Sequence, residues 1–234
     1  MLDPSQPRPD IATVAELLGN ATRAAMVSAL VGDFVMPAGE LASIAGVSRP
    51  TASEHLSRLV EHGLLSVERM GRHAYYRISS PQVAELVEAL AVIAPVRQPT
   101  SLRSARLLKT LSHARTCYRH LAGRIGVELA EALCRRGLVR RAAGGLEIDV
   151  ARWDANEPLG LATRALEAEG QPLIKGCVDW SERRHHLAGT AATALTDRLF
   201  ALGWITRARE HKRAVVVTAE GTAGLSSEFG VHLR

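Results

Sequence analysis

The sequence predicts a mainly α-helical protein with small β-hairpin wings, an α+β fold in two domains. Three observations predict it. The first 95 or so residues read in the order helix, helix, turn, helix, β-hairpin, helix; Pro95 and Pro99 bracket a short linker; and pieces of the first pattern return in the second half. We therefore expect an N-terminal winged helix-turn-helix over residues 11–97. A C-terminal domain of degenerate winged-helix-like units is expected over residues 98–234.

The N-terminal half begins with apolar residues at helical spacing over 11–31, which predict one amphipathic helix. A short helix over 38–45 is expected to end at Gly46. Ser48 suits the N-cap of the next helix, and Pro50 fits its first turn, where a missing N–H costs little. That helix runs to about residue 62 and stops at Gly63.

A hairpin and a final helix complete the first domain. Residues 64–69 and 73–78 alternate like two strands joined by a tight turn, so they predict a hairpin. Pro81 opens a further apolar helix that extends to about residue 94. A hairpin placed directly after the second helix of a helix-turn-helix is the wing of a winged helix.

Residues 40–65 read ELASIAGVSRPTASEHLSRLVEHGLL, and this segment resembles the ArsR/SmtB family of bacterial regulators. The resemblance covers about residues 11–95. It is carried by the Val47-Ser48 turn, the Ser53-x-His55-Leu56 core and the Gly63-Leu64-Leu65 entry to the wing. It implies a transcriptional regulator, of the repressor type, that binds double-stranded DNA as a homodimer. In the resembling family the helices that correspond to residues 11–31 and 82–94 form the dimer interface.

The second half repeats pieces of the first. Leu121-Ala-Gly-Arg-Ile-Gly-Val127 echoes Leu41-Ala-Ser-Ile-Ala-Gly-Val47. The end of a third copy, Leu199-x3-Gly203-Trp204-Ile205, matches Leu59-x3-Gly63-Leu64-Leu65 at a constant offset of 140. The tetrapeptide His-Leu-Ala-Gly also occurs twice, at 120–123 and 186–189. These echoes predict that the second domain is assembled from winged-helix pieces.

Candidate DNA contacts lie on the predicted recognition helix and the wing, because side chains at the start of a helix in the major groove reach base edges. On the helix they are Ser48, Arg49, Thr51, Ser53, Glu54, His55 and Arg58, and on the wing Arg69, Arg72 and His73. Arg49 is suited to a bidentate pair with guanine, and Arg58 to the DNA backbone. The alternative is that these are solvated residues of a winged helix that binds protein.

The apolar faces of residues 11–31 and 82–94 exceed what one small domain needs. A homodimer would cover them, place two recognition helices one DNA turn apart and require a near-palindromic operator. Burial of the same faces against the C-terminal domain is the alternative.

Charge and composition are compatible with this assignment but do not prove it. The net charge is +5, yet residues 1–97 carry eight Arg and ten acidic residues, so the basic excess lies in the second half. No apolar run reaches the roughly 18 residues of a membrane span, and no secretory signal is visible. Three cysteines are too few for a disulfide scaffold. We expect a cytoplasmic protein.

The family's familiar metal sites are absent from this sequence. The resemblance would place cysteines on the helix over 40–45, which has none, or histidines on the helix over 82–94, which has only Glu85 and Glu88 as candidate ligands. Arsenic or zinc sensing therefore does not carry over from the resemblance.

A different set of candidate effector ligands lies in the second half: Cys117, His120, Cys177, His185 and His186. We expect Cys117 and His120 on one helix, in a stripe that starts at His113 and ends at Arg124. Two Cys and several His suit a tetrahedral metal ion, a thiol sensor, or a pocket for a small effector of unspecified chemistry. A structural role for the cysteines is the plain alternative.

The rival functional class is an enzyme, for example a nucleic-acid-modifying protein with a winged-helix docking module. The sequence has no glycine-rich phosphate loop, no G-x-S-x-G and no H-E-x-x-H. We therefore expect a regulator that is not an enzyme.

Overall fold

The computed structural model describes residues 9–71, 73–96, 98–143, 145–166 and 171–233. Its contacts divide the chain into two units, Met1–Val87 and Glu88–Arg234. The boundary predicted at 97/98 lies ten residues after this division.

The first unit has the element order of a winged helix. Its elements are α1 (Ile11–Gly19), α2 (Ala21–Leu30), β1 (Met36–Pro37), α3 (Ala38–Ala45), α4 (Arg49–Glu61), β2 (Leu65–Met70) and β3 (His73–Ile78). A further helix, α5 (Pro81–Ile93), begins in this unit and ends in the next.

The single helix predicted over 11–31 is wrong, because the chain forms two helices there. Asn20 is extended, and its side chain accepts a hydrogen bond from the backbone N–H of Arg23, which makes Asn20 the N-cap of α2. The buried Arg23 guanidinium donates to the carbonyls of Leu17 and Glu16, at 2.6 and 2.9 Å. These bonds satisfy carbonyls that the end of α1 leaves without helical partners.

The wing is a three-stranded antiparallel sheet in the order β1-β3-β2. Leu65 pairs with Ile78 at its base and Met70 with His73 at its tip, as the predicted hairpin requires. The short strand β1 was not predicted. It adds Met36 opposite Tyr76, so that this side of the sheet is closed by residues that are themselves buried.

The second unit consists of short hairpins and helices. In order they are α6 (Leu102–His113), β4 (Arg115–Cys117), β5 (His120–Ala122), α7 (Gly123–Arg135), β6 (Val139–Ala142), β7 (Gly145–Ile148), α8 (Val150–Asn156), β8 (Lys175–Val178), β9 (His185–Ala188), α9 (Thr190–Ala201), β10 (Ile205–Arg207), β11 (Val215–Val217) and α10 (Ala219–Phe229). Two 3-10 turns, Pro158–Gly160 and Thr163–Ala165, lie between α8 and β8.

One pattern occurs twice in the second unit: hairpin, helix, left-handed residue, hairpin, helix. The left-handed residue is Gly137 after α7 and Gly203 after α9, with φ of 71° and 68°. Gly63, at 71°, holds the same position between α4 and the wing. Glycine is favoured there because a side chain disfavours positive φ. The α+β fold with repeated winged-helix-like pieces is confirmed.

An apolar core made of described residues from α7, α9 and the surrounding hairpins lies in the second unit. Trp153 is its largest fully buried side chain, and its indole N–H donates to the carbonyl of Leu161 at 2.6 Å. Among the described residues, no helix is both long and apolar enough to cross a membrane.

Candidate functional site

Helix α4 presents a polar face and a buried apolar face. Ser48 caps it, and its Oγ accepts a hydrogen bond from the Thr51 backbone N–H at 3.3 Å. Ala52, Leu56 and Leu59 are fully buried. Of the predicted DNA contacts on this segment, Thr51 and His55 are half-buried and the others are exposed: Ser48, Arg49, Ser53, Glu54 and Arg58. The helix therefore offers one continuous polar surface to a partner.

The wing adds a second exposed surface. Arg69 and His73 are exposed near its tip, where Arg69 pairs across the hairpin with Ala74. The third predicted contact of the wing, Arg72, lies outside the described residues.

The helical stripe predicted from His113 to Arg124 is wrong. Helix α6 ends at His113, Ala114 is extended, and the chain turns back as the β4–β5 hairpin. Gly123 then starts α7 with φ of 78°, and a Cβ there would lie 2.8 Å from the carbonyl oxygen of Ser112. The helical spacing of residues 113–124 gave no sign of the tight hairpin, because its two strands are only three residues long.

The hairpin nevertheless brings predicted ligands together. Cys117 lies directly opposite His120 in the β4–β5 register, and Cys177 lies directly opposite His186 in β8–β9. Side chains of directly opposed residues share one face of a hairpin. We call these four residues the Cys/His cluster.

The two hairpins meet through the Cys/His cluster. The sulfurs of Cys117 and Cys177 are 3.9 Å apart, and the rings of His120 and His186 have centroids 5.2 Å apart. His185 follows the opposite alternation along β9 and pairs with Val178, so it is not brought into the cluster.

Three buried imidazole nitrogens of the cluster make no well-formed hydrogen bond. Among the described residues, His120 Nδ1 and both ring nitrogens of His186 are buried without a well-formed hydrogen bond. The ligand atoms of Cys117, His120 and His186 all lie within 4.8 Å of one another. Buried polar groups are normally satisfied, so an unsatisfied set of metal-binding atoms is a group that could hold a metal ion.

Asp179, in the turn between β8 and β9, supports the cluster and was not predicted in this role. It is completely buried, and Oδ2 accepts hydrogen bonds from Arg115 at 2.9 Å and from the Gly123 backbone N–H at 2.6 Å. Its Oδ1 accepts two further bonds from Ser181. Oδ2 also lies 3.4 Å from Nδ1 of His186, which orients that ring.

These contacts set the protonation of the cluster. Burial raises the pKa of Asp179, but His186 and the Arg115 charge outweigh it and hold that pKa well below its usual range. The Cys117 thiol lowers the pKa of Cys177 to about 5 despite burial, and His186 contributes to the same shift. The pKa of Cys117 is raised correspondingly by its bond to Cys177 and by burial. Within this pair, Cys117 therefore holds a proton more firmly than Cys177 does.

Comparison with known proteins places the chain in a family. A family model described as "Helix-turn-helix domain" matches residues 18–68. The Bacillus subtilis protein described as "Uncharacterized HTH-type transcriptional regulator YdfF" is 35% identical over 225 residues, which cover 96% of this chain and 99% of that protein. The chain belongs to the helix-turn-helix transcriptional regulators. The recognition of an ArsR-type winged helix from residues 40–65 is confirmed.

Other relatives of this regulator match a little over a third of the chain. A "Biofilm growth-associated repressor" of Xylella fastidiosa is 33% identical over 85 residues, 36% of this chain and 73% of that protein. The crystal structure of the repressor BigR from the same organism covers 38% of this chain and 89% of its own, at 30% identity and a TM-score of 0.35. A Mycobacterium bovis domain described as a homodimeric winged helix-turn-helix covers 36% and 76%, at 30% identity and a TM-score of 0.33.

In this regulator the Cys/His cluster is connected to helix α5. The carbonyl of Thr116, next to Cys117, accepts a hydrogen bond from Arg213 Nε at 3.1 Å. The same Arg213 guanidinium forms an ion pair with Glu88 of α5, which is buried. Arg213 thus contacts both the backbone beside Cys117 and helix α5.

Proposed function

We propose that this chain is a transcriptional repressor that binds a near-palindromic DNA operator as a homodimer. Its recognition helix is α4, its wing is the β2–β3 hairpin, and a signal received at the Cys/His cluster sets its affinity for DNA. In this proposal the chain is not an enzyme, because it acts by occupying an operator.

The observation that carries the DNA-binding proposal is the two-faced character of α4. Its apolar side is fully buried, so the helix is fixed on the unit, and its polar side is exposed from the N-cap onward. The N-terminal end of a helix combines free backbone N–H groups with a positive dipole, which suits phosphate. Arg49 follows the cap directly and can reach base edges in the major groove.

The homodimer is supported by an uncovered apolar stripe on α5. Leu86, Leu90 and Ile93 are 37%, 40% and 79% exposed, and their spacing places them on one helix face. A second copy of the chain is the partner we propose for this stripe, since a two-fold interface matches the same surface on both subunits. It would pair two recognition helices on one operator.

The signal site is supported by the burial of Cys117, His120 and His186 and by the imidazole nitrogens that make no well-formed hydrogen bond. A metal ion held by Cys and His side chains is the cofactor that this donor set fits. Metal bound at the Cys/His cluster would change the position of α5, and with it the shape of the dimer, through the contacts from Thr116 to Arg213 and from Arg213 to Glu88. A ligand shifts such an equilibrium only by its different affinity for the two shapes.

The test is DNase I footprinting on the region upstream of the chain's own coding sequence. We expect one protected, near-palindromic segment that random DNA does not compete away at moderate salt. A double variant, Arg49→Ala/Ser53→Ala, should lose the protection, whereas Arg152→Ala, a matched change at an exposed arginine of the second unit, should keep it. Equal protection of unrelated DNA would overturn the proposal.

A further inference from the structure

We infer that the Cys/His cluster is a closed site for one thiophilic metal ion of tetrahedral preference, of the Zn²⁺ class. The ligands are Cys117 Sγ, Cys177 Sγ and one ring nitrogen each from His120 and His186. The inference deepens the proposed function, on which its regulatory meaning rests. All four ligands belong to the second unit, and none of them lies on the two helices where the resembling family binds its metals.

The internal repeat builds the ligand set. The tetrapeptide His-Leu-Ala-Gly forms β5 and the start of α7 at 120–123, and β9 with the residue before α9 at 186–189. In each copy its histidine has a cysteine as cross-strand partner. Each repeat therefore supplies one sulfur and one imidazole, and the apposed hairpins present an S₂N₂ donor set.

The sulfur separation fits a metal and not a disulfide. At the usual Zn–S distance of about 2.3 Å, tetrahedral geometry puts two sulfurs about 3.8 Å apart. The observed Sγ–Sγ distance is 3.9 Å. A disulfide requires about 2.05 Å. The ligand nitrogens of His120 and His186 lie within 4.8 Å of each other and of Cys117 Sγ, and they would move inward by roughly 1 Å on coordination. Cys177 joins this set through its 3.9 Å sulfur contact with Cys117.

Burial and charge favour the same ligand. Cys117 and His186 are 1% and 0% exposed, so ordinary solvent cannot satisfy their polar atoms. Two thiolates balance a divalent cation and two neutral imidazoles add no charge, which lowers the cost of burying the ion. Asp179, close to Nδ1 of His186, leaves Nε2 of that ring to face the ion, as outer carboxylates do for metal-bound histidines.

Four protein ligands leave no open coordination position for a substrate. Such closed sites hold structure instead of activating water. The ion would tie the β4–β5 hairpin to β8–β9, two segments about 60 residues apart in sequence. Its arrival or loss would alter the position of Thr116 and therefore of the Arg213–Glu88 pair.

The experiment is titration of the reduced, metal-free full chain with Co²⁺ and then Zn²⁺, without DNA. We expect one Co²⁺ per chain, with the intense visible bands of tetrahedral cobalt and a near-ultraviolet sulfur-to-cobalt charge-transfer band. One equivalent of Zn²⁺ should abolish both. A spectrum typical of six-coordinate cobalt, or no saturable uptake by the wild-type chain, would overturn the inference.

Matched variants locate the site. Cys117→Ser and His186→Gln should weaken metal binding by more than the roughly 10–100-fold that loss of an outer partner costs. Cys134→Ser, outside the cluster, and His185→Gln, the neighbour on the same strand, should bind as the wild type does. Circular dichroism identifies any variant that fails to fold, and such a variant is set aside. The cobalt spectrum of the wild-type chain then tests the inference without it. Equal affinity in the folded Cys117→Ser variant would overturn the assignment.

An oxidation arm separates metal from redox chemistry. If mild oxidant joins Cys117 to Cys177 in a disulfide and the reduced chain takes up no metal, the cluster is a thiol switch and the inference fails. The DNA proposal is judged apart, by footprinting. If the chain binds metal but no specific DNA, the metal site stands and the regulatory proposal fails. If it binds specific DNA but no metal, the DNA proposal stands and the metal site fails.

Discussion

At the scale of single residues, Asp179 holds together groups that are far apart in sequence. Its carboxylate neutralises Arg115, 64 residues away, in an ion pair with 1% and 0% exposed side chains. The Arg115 guanidinium also lies 4.5 Å from the centre of the Trp180 ring. A buried pair of this kind stabilises little relative to apolar residues, but removing one partner leaves the other charge without compensation.

We predict that Asp179→Ala lowers the free energy of unfolding of the second unit by about 3–5 kcal/mol, because Arg115 remains buried and unpaired. Urea unfolding followed by tryptophan fluorescence measures this, since all three tryptophans lie in that unit. Glu147→Gln, which breaks the exposed pair with Arg140, should cost no more than about 1 kcal/mol. Similar losses in the two variants would contradict the account of Asp179.

Two exposed arginines of the first unit, Arg49 and Arg69, should contact different parts of the DNA. Arg49→Ala should cost about 1–3 kcal/mol of operator binding and relax preference at one base position, because a base contact is lost. Arg69→Ala should weaken binding to every sequence and reduce the slope of log affinity against log salt by about one, because a phosphate contact is lost. Binding titrations at several salt concentrations measure both, and identical effects of the two changes would refute these roles.

Residue types were predicted better than residue partners. Four members of the Cys/His cluster were among the candidate ligands, because Cys and His are recognisable ligands from sequence alone. Arg115 and Asp179 carried no such signal, because their pairing depends on two hairpins meeting in space. His185 was indistinguishable from His186 until the strand register separated them.

At the scale of elements, short strands and helix ends account for the errors. The periodic stretch over 11–31 contains the pair Gly19-Asn20, and the N-cap of Asn20 outweighed continuous periodicity. The hairpin at 115–122 has strands of three residues, too short for alternation to exceed the helical pattern around them. The recognition helix was predicted closely because Ser48, Pro50 and Gly63 mark its ends with independent signals.

Helix α5 contains both Glu88, the partner of Arg213, and the apolar stripe that we propose as the dimer interface. Glu88 is therefore the residue with which to test the proposed coupling. We predict that Glu88→Gln leaves metal affinity within a few-fold of wild type but abolishes the effect of metal on operator binding, because Arg213 loses its ion pair. Glu85→Gln, an exposed position one turn earlier on α5, should respond to metal as the wild type does. Paired metal and DNA titrations measure the coupling, and a full response in Glu88→Gln would exclude this route.

At the scale of the whole molecule, we propose that the first unit supplies the DNA contacts and that the second unit, which is made from repeated pieces, receives the signal. The fold was predictable at the level of element order, since the same helix–glycine–hairpin signals recur at Gly63, Gly137 and Gly203. The apposition of the repeats was not predictable, because it is set by packing between distant segments.

We predict that the chain sediments at about twice its monomer mass of 25.2 kDa at micromolar concentration. Leu90→Glu/Ile93→Glu should shift it toward monomer and weaken operator binding, because a charge is placed in the apolar stripe of α5. Leu202→Glu, at a comparably exposed leucine of the second unit, should remain dimeric. A monomer that still protects a palindrome would contradict the dimer.

The central claim is that occupancy of the Cys/His cluster controls specific DNA affinity. The direct test is fluorescence anisotropy of the operator duplex at fixed moderate salt, with metal-free wild type and after one equivalent of Zn²⁺. The account predicts operator affinity well above that for random DNA, a change of about 5–150-fold on Zn²⁺ addition, and no change in Cys117→Ser/Cys177→Ser. Operator affinity that is indifferent to Zn²⁺ in the wild type, or that changes equally in the double variant, would contradict it.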